Sequence, residues 1–142
     1  MLSLPLVAWC VGAGSAYLLI SQLVLDWVER VLIRHGLYGN YSVNNIELPT
    51  VGRSISEFFT QVGVFVLLPT MIFSFLYTMI PFEGPRAGVV IAIGATVIGA
   101  APALISANLR LKLPTPALVF VTIGQFVKLA GILGIIGYLF SL

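Results

Sequence analysis

Four stretches of the chain are almost free of charge, and each is long enough to cross a membrane. They cover residues 2–25, 58–82, 87–109 and 113–142, and the only charged residue in them is Lys128. About 20 apolar residues in a helix span the hydrocarbon core of a bilayer. Lipid offers no partner to backbone polar groups, and the alternation of a β-barrel is absent, so each stretch is expected to be helical. The sequence predicts an all-α integral membrane protein, a four-transmembrane-helix bundle.

Composition supports one membrane domain over residues 1–142. Hydrophobic residues make up 59% of the chain and charged residues 8%, whereas soluble domains carry about 25% charged residues. The predicted spans are 3–25, 56–80, 87–109 and 116–140, with a helix extension and a loop over 26–55. The first stretch lacks the basic start and small-residue site of a cleaved signal, so we expect a permanent helix. A net charge of +2 is too small to indicate nucleic-acid binding.

Residues with known preferences for helix ends set the expected boundaries. Helix 1 is predicted to continue past the bilayer and to stop at Gly36. Ser54 and Glu57 have the spacing of a capping box, which predicts that the second helix starts there. Proline and glycine over 81–85 predict a tight hairpin turn, and Thr115-Pro116 predicts the start of the last helix.

The distribution of basic residues predicts the orientation in the membrane. Five lie on the side that holds the long loop and one, Arg86, lies on the opposite side. Cytoplasmic segments carry the excess of Lys and Arg, so loop 36–53 is expected in the cytoplasm and both termini on the non-cytoplasmic side. The expected location is a bacterial inner membrane or a thylakoid. The five residues are Arg30, Arg34, Arg53, Arg110 and Lys112.

Small residues at helical spacing predict the packing faces, because helices in lipid associate where backbones can approach closely. Helix 1 carries one such stripe through Ala8, Gly12 and Ser15, and the last two helices carry others. Pro69 and Pro102 lie inside helices and are expected to bend them. The predicted packing glycines are Gly12, Gly88, Gly99, Gly124 and Gly131.

Lys128 requires an explanation because it lies about 18 Å beyond Pro116, too deep for its side chain to reach either surface. A charge at that depth costs about 2.5–3.5 kcal/mol on insertion scales. One interpretation is a polar cleft open to the cytoplasm with Lys128 at its inner end. The other is a lysine that donates to carbonyls freed by Pro69 or Pro102. The candidate functional residues are Lys128, Gln125, Gln61, Gln22 and Asp26.

The residues favour a role without catalysis. The sequence has no phosphate loop, nucleophile elbow or catalytic triad, and one His and one Cys cannot assemble a usual zinc site. No cofactor is identified. We expect a lipid bilayer as surroundings and other membrane subunits, or further copies, as partners. The first hypothesis is an accessory or structural subunit of a larger membrane complex, bioenergetic or photosynthetic. The alternative is a small homo-oligomeric transporter or channel that uses Lys128.

Overall fold

The computed structural model describes residues 3–36, 51–76, 79, 81, 83–111 and 115–142, the side chains of 51–54, 110 and 111 excepted. Within these ranges, four helices are long and apolar enough to cross a membrane, which confirms the predicted fold class. The long loop at 37–50, Lys112, and the side chains of Arg53, Ser54 and Arg110 lie outside what is described. The four spans are Leu4–Arg34, Ile55–Leu76, Pro85–Leu109 and Thr115–Ser141.

Two of the four spans, the second and the third, are each interrupted by one π-helical segment. The first π segment, Gly63–Leu67, joins α2 to α3, and the second, Thr96–Ala100, joins α4 to α5. α1 and α6 are continuous α-helices. The bounds are α1 (Leu4–Arg34), α2 (Val51–Val62), α3 (Leu68–Leu76), α4 (Pro85–Ala95), α5 (Ala101–Leu111) and α6 (Thr115–Ser141).

Helix ends follow the sequence signals to within a few residues. α1 continues to Arg34, and Gly36 then takes a positive φ of 71°, a conformation that glycine adopts without steric cost. α2 begins at Val51, earlier than the predicted Ser54. The residues just before Val51 lie outside what the structure describes. α6 includes Thr115 as its first residue rather than as its cap.

Each π segment ends just before an intramembrane proline. The Leu68 N–H donates to Gly63 O, and the Ala101 N–H donates to Thr96 O, both five residues back. Pro69 and Pro102 come next in the chain. A proline has no N–H and its ring displaces the preceding turn, and a π turn accommodates that mismatch inside a helix. The prolines predicted to bend these helices therefore lie where the backbone hydrogen bonds change from four to five residues back.

α6 is the centre of the bundle, with α4 and α1 packed on opposite faces. A Cβ at Gly88 of α4 would overlap the backbone of Leu133, and a Cβ at Gly131 would overlap the ring of Tyr17 of α1. Leu133 and Gly131 are two residues apart, which is about 200° around a helix. α4 and α1 therefore flank α6. The largest side chains in the core are Phe73, Leu18, Ile132 and Ile136, all at most 1% exposed.

α1 buries a different stripe from the one that the sequence predicts. Its buried residues are Cys10, Gly14, Leu18 and Ser21, whereas Ala8 and Gly12 are exposed. The inward stripe is anchored where a Cβ at Gly14 would approach Val66 Cγ1 to 2.7 Å. Both stripes contain small residues at helical spacing, so composition alone did not indicate which one faces the bundle.

Candidate functional site

α1 and α6 run antiparallel and hold each other in register through Tyr17 and two glycines. The Tyr17 hydroxyl donates to Val127 O at 3.1 Å, while its ring covers Gly131. About two turns farther along α1, Leu25 packs over Gly124. Its two methyl groups lie 3.5 and 3.6 Å from the position that a Cβ at Gly124 would take. These contacts fix the relative depth of every side chain along the two helices.

A polar pocket of about 130 Å³ lies between the same two helices, beside Gly124. It contains two carboxylates of α1, an amide and an ammonium of α6, and apolar walls. The carboxylates belong to Asp26 and Glu29, and the α6 groups to Gln125 and Lys128. Leu25, Phe120 and Val121 complete the lining. The structure thus brings together three of the five predicted functional residues, namely Asp26, Gln125 and Lys128.

The charges in the pocket are of both signs. Asp26 lines the same pocket as Lys128, of opposite charge type, and Glu29, of the same charge type. Lys128 and Glu29 are half-buried, whereas Asp26 is exposed. Two acidic side chains therefore share the pocket with one basic side chain.

The charged groups are ordered along the axis of the bundle. We call the end where α1 stops and α6 starts the loop end. From the contacts of Tyr17 with Gly131 and of Leu25 with Gly124, the Lys128 backbone lies about 8 Å farther from the loop end than that of Asp26. Glu29 lies about 4.5 Å nearer to the loop end than Asp26. The Lys128 side chain therefore leaves its helix deeper in the bundle than the side chains of Asp26 and Glu29 do.

The two remaining predicted residues, Gln22 and Gln61, do not line this pocket. Their Oε1 atoms are buried and accept no hydrogen bond from the part of the chain that the structure describes. Relative to the contact of Gly14 with Val66, Gln22 lies about 12 Å and Gln61 about 7.5 Å toward the loop end. Both amides are therefore at a similar depth on the facing helices α1 and α2.

The five predicted packing glycines fall into two groups. A Cβ at Gly88 or Gly131 would overlap another helix, and one at Gly124 would touch Leu25. A Cβ at Gly12 or Gly99 would meet no other atom within 4 Å. Three of these glycines lie at contacts within the chain, and two lie open on its outer surface.

Glu29 is the functional candidate that sequence reasoning missed. Asp26 and Glu29 are three residues apart, the spacing that places two side chains on one face of a helix. That signal was present in the sequence. Glu29 was overlooked because residues 26–55 were predicted as a helix extension and loop past the bilayer, whereas α6 as far as Phe120 lines the same pocket as Glu29.

The site contains no cluster typical of metal binding. Among the residues that the structure describes, no group of three or more His, Cys, Asp or Glu side chains could hold a metal ion. Comparison with protein-family models, with curated proteins and with solved structures gives no significant match.

Proposed function

We propose that this protein is a non-enzymatic subunit of a larger membrane complex, which contacts neighbouring membrane proteins through two outward stripes of small residues. The observation that carries the proposal is the open space around Gly12 and Gly99. Inside the chain, Gly88 lies close against the backbone of Leu133 and Gly131 lies close against the ring of Tyr17. Gly12 and Gly99 also lie among small residues at helical spacing, but no other helix in the part of the chain that the structure describes packs against them. They are therefore suited to contacts with another protein.

Gly12 and Gly99 each belong to an exposed stripe with small residues at i, i+4 and i+8. On α1 the stripe is Ala8, Gly12 and Ala16, and on the α4–α5 rod it is Ala95, Gly99 and Ala103. Bulky exposed side chains stand beside both stripes, such as Trp9 at 70% and Ile98 at 81% exposure. A small stripe between large residues forms a shallow groove that accepts a second helix, and this pattern is typical of helix association in membranes.

Two separate stripes favour different neighbours over a second copy. α1 and α4 pack against opposite faces of α6, through Gly131 and Leu133 respectively. A two-fold dimer uses one self-complementary face, so it would leave the other stripe against lipid. A subunit placed between two partners would use both stripes.

The orientation is part of the proposal. The excess of basic residues around the long loop supports loop 36–53 in the cytoplasm and both termini on the other side. A bacterial inner membrane or a thylakoid, with a bioenergetic or photosynthetic complex as host, is the setting we propose.

The test is copurification from native membranes in mild detergent, with partner stoichiometry measured by mass spectrometry. Gly12→Leu and Gly99→Leu should each release a stoichiometric partner, because the added side chain fills the groove. Gly12→Ala and Gly99→Ala keep the stripes small and should retain the partners. Equal recovery of partners with the Leu and Ala variants would contradict the proposal.

The second candidate is a small homo-oligomeric transporter or channel. The observation in its favour is that Lys128, a residue of a membrane-spanning helix, lines a pocket. Intramembrane charges commonly mark ion or substrate pathways. A homo-oligomer without unrelated partners in the same copurification would favour this alternative.

A further inference from the structure

The pocket between α1 and α6 has features that a purely structural ion pair would not need. It keeps about 130 Å³ of space, lined by Lys128 and by the carboxylates of Asp26 and Glu29. An apolar cavity of about 150 Å³ holds a benzene molecule, so this pocket has room for a solute of about six non-hydrogen atoms. Simple neutralisation of Lys128 would be served by one carboxylate in direct contact.

Polarity changes sign across the pocket, from α6 to α1. On the α6 side, the Lys128 ammonium and the Gln125 amide can donate hydrogen bonds. On the α1 side, the Asp26 and Glu29 carboxylates can only accept them when ionised. A solute that satisfies both sides must present an acceptor with negative charge to α6 and a donor with positive charge to α1.

We infer that this pocket binds a small zwitterionic solute, an amino acid or a close relative, with its carboxylate toward Lys128 and its ammonium toward Asp26 and Glu29. The apolar walls from Leu25, Phe120 and Val121 accommodate the short carbon chain between the two charges. This inference goes beyond the proposed subunit function and does not depend on the outward stripes. The eight residues that line the pocket all belong to α1 and α6 of this chain.

The first experiment compares three probes on the unmodified full-length protein in detergent, by equilibrium binding. β-Alanine carries both charges, propionate only the negative one, and propylamine only the positive one. Because β-alanine can make charge-assisted hydrogen bonds at both of its ends and each single-charge probe at only one, β-alanine should bind at least about tenfold tighter than either of them. Equal or tighter binding of propylamine would overturn the inference in favour of a cation site. Equal or tighter binding of propionate would overturn it in favour of an anion site. No saturable binding of any probe would overturn it as well.

The second experiment removes each charge, with a matched control outside the pocket. Lys128→Met and Asp26→Asn should each weaken β-alanine binding at least about tenfold. Arg86→Met and Glu83→Gln make the same changes of charge at exposed positions near the hairpin and should leave the affinity unchanged. Thermal unfolding of each variant identifies any that fail to fold, and the three-probe comparison decides the question without them. Equal effects of pocket and control variants would contradict the inference.

Discussion

The two halves of α6 differ in what they contact: one packs tightly against neighbouring helices, and the other lines a polar pocket. From Gly131 onward, α6 packs through small residues, with Leu133 against Gly88 and Gly137 against the backbone of Gly84. Nearer the loop end, the same helix lines a polar pocket with Gln125 and Lys128. In the first half there is no room for a methyl group at Gly131 or Gly137, and the other half keeps space for a solute. One membrane helix can therefore pack closely against other helices at one end and line a pocket at the other.

The tight half of α6 should be sensitive to the smallest possible addition. Gly88→Ala places a methyl group in the backbone of Leu133, and neither helix can yield without separating. We expect a loss of about 3 kcal/mol or more in the free energy of unfolding, at the upper end for overpacking. Denaturation in detergent measures it. Gly94→Ala, on the same helix with no atom within 4 Å, is the control and should be neutral or stabilising. A neutral Gly88→Ala would show that the α4–α6 contact is looser than described.

The contact of Gly131 with Tyr17 should show a smaller and rescuable effect. Gly131→Ala overlaps the Tyr17 ring, a side chain that can rotate once its hydrogen bond to Val127 O is lost. We expect a loss of about 1–3 kcal/mol. In a Tyr17→Ala background the same substitution should cost far less, because the overlapping atoms are gone. A double-mutant cycle measures this coupling, and strict additivity would place the two residues apart.

The pocket half should tolerate an apolar substitution that the tight half would not. Gln125→Leu removes an amide from a pocket wall where open space lies beside it. We expect a change within about 0.5 kcal/mol, as for substitutions away from packed features. The measurement is again detergent denaturation, beside Gly131→Ala. A loss as large as that of Gly131→Ala would mean that the pocket half is also a packed joint.

The orientation prediction assigns the pocket half to one side of the membrane and carries no expected change in stability. Cysteine at Ser42, in the long loop, should be protected from impermeant thiol reagents in intact cells and become reactive after permeabilisation. Cys10 is fully buried in α1 and supplies the background signal in the parent protein. Ready labelling in intact cells would reverse the topology.

Much of this architecture could be predicted from the sequence because lipid imposes strong rules. The absence of charge over 20 or more residues requires helices, and Gly36 marks a helix end by its backbone freedom. The face that α1 buries could not be predicted. Gly12 and Gly14 are both small, and the choice between them depends on which one meets Val66.

The candidate site was predicted in part for a related reason. Lys128 was identifiable because a charge in a membrane is costly wherever it lies. Which polar side chains share the pocket with Lys128 could not be identified from the sequence. Gln22 and Gln61 share its approximate depth, yet Asp26 and Glu29 line the pocket instead. Depth follows from counting residues, whereas azimuth depends on contacts such as that of Tyr17 with Gly131.

The most direct test of the proposed function is the mass and composition of the particle purified from native membranes in mild detergent. The account predicts a complex in which this chain is one subunit among unrelated membrane proteins at fixed stoichiometry. It also predicts that Gly12→Leu or Gly99→Leu, but not the matched Ala variants, removes a partner. A particle that contains only this chain, and whose composition is the same in the Leu variants, would contradict it.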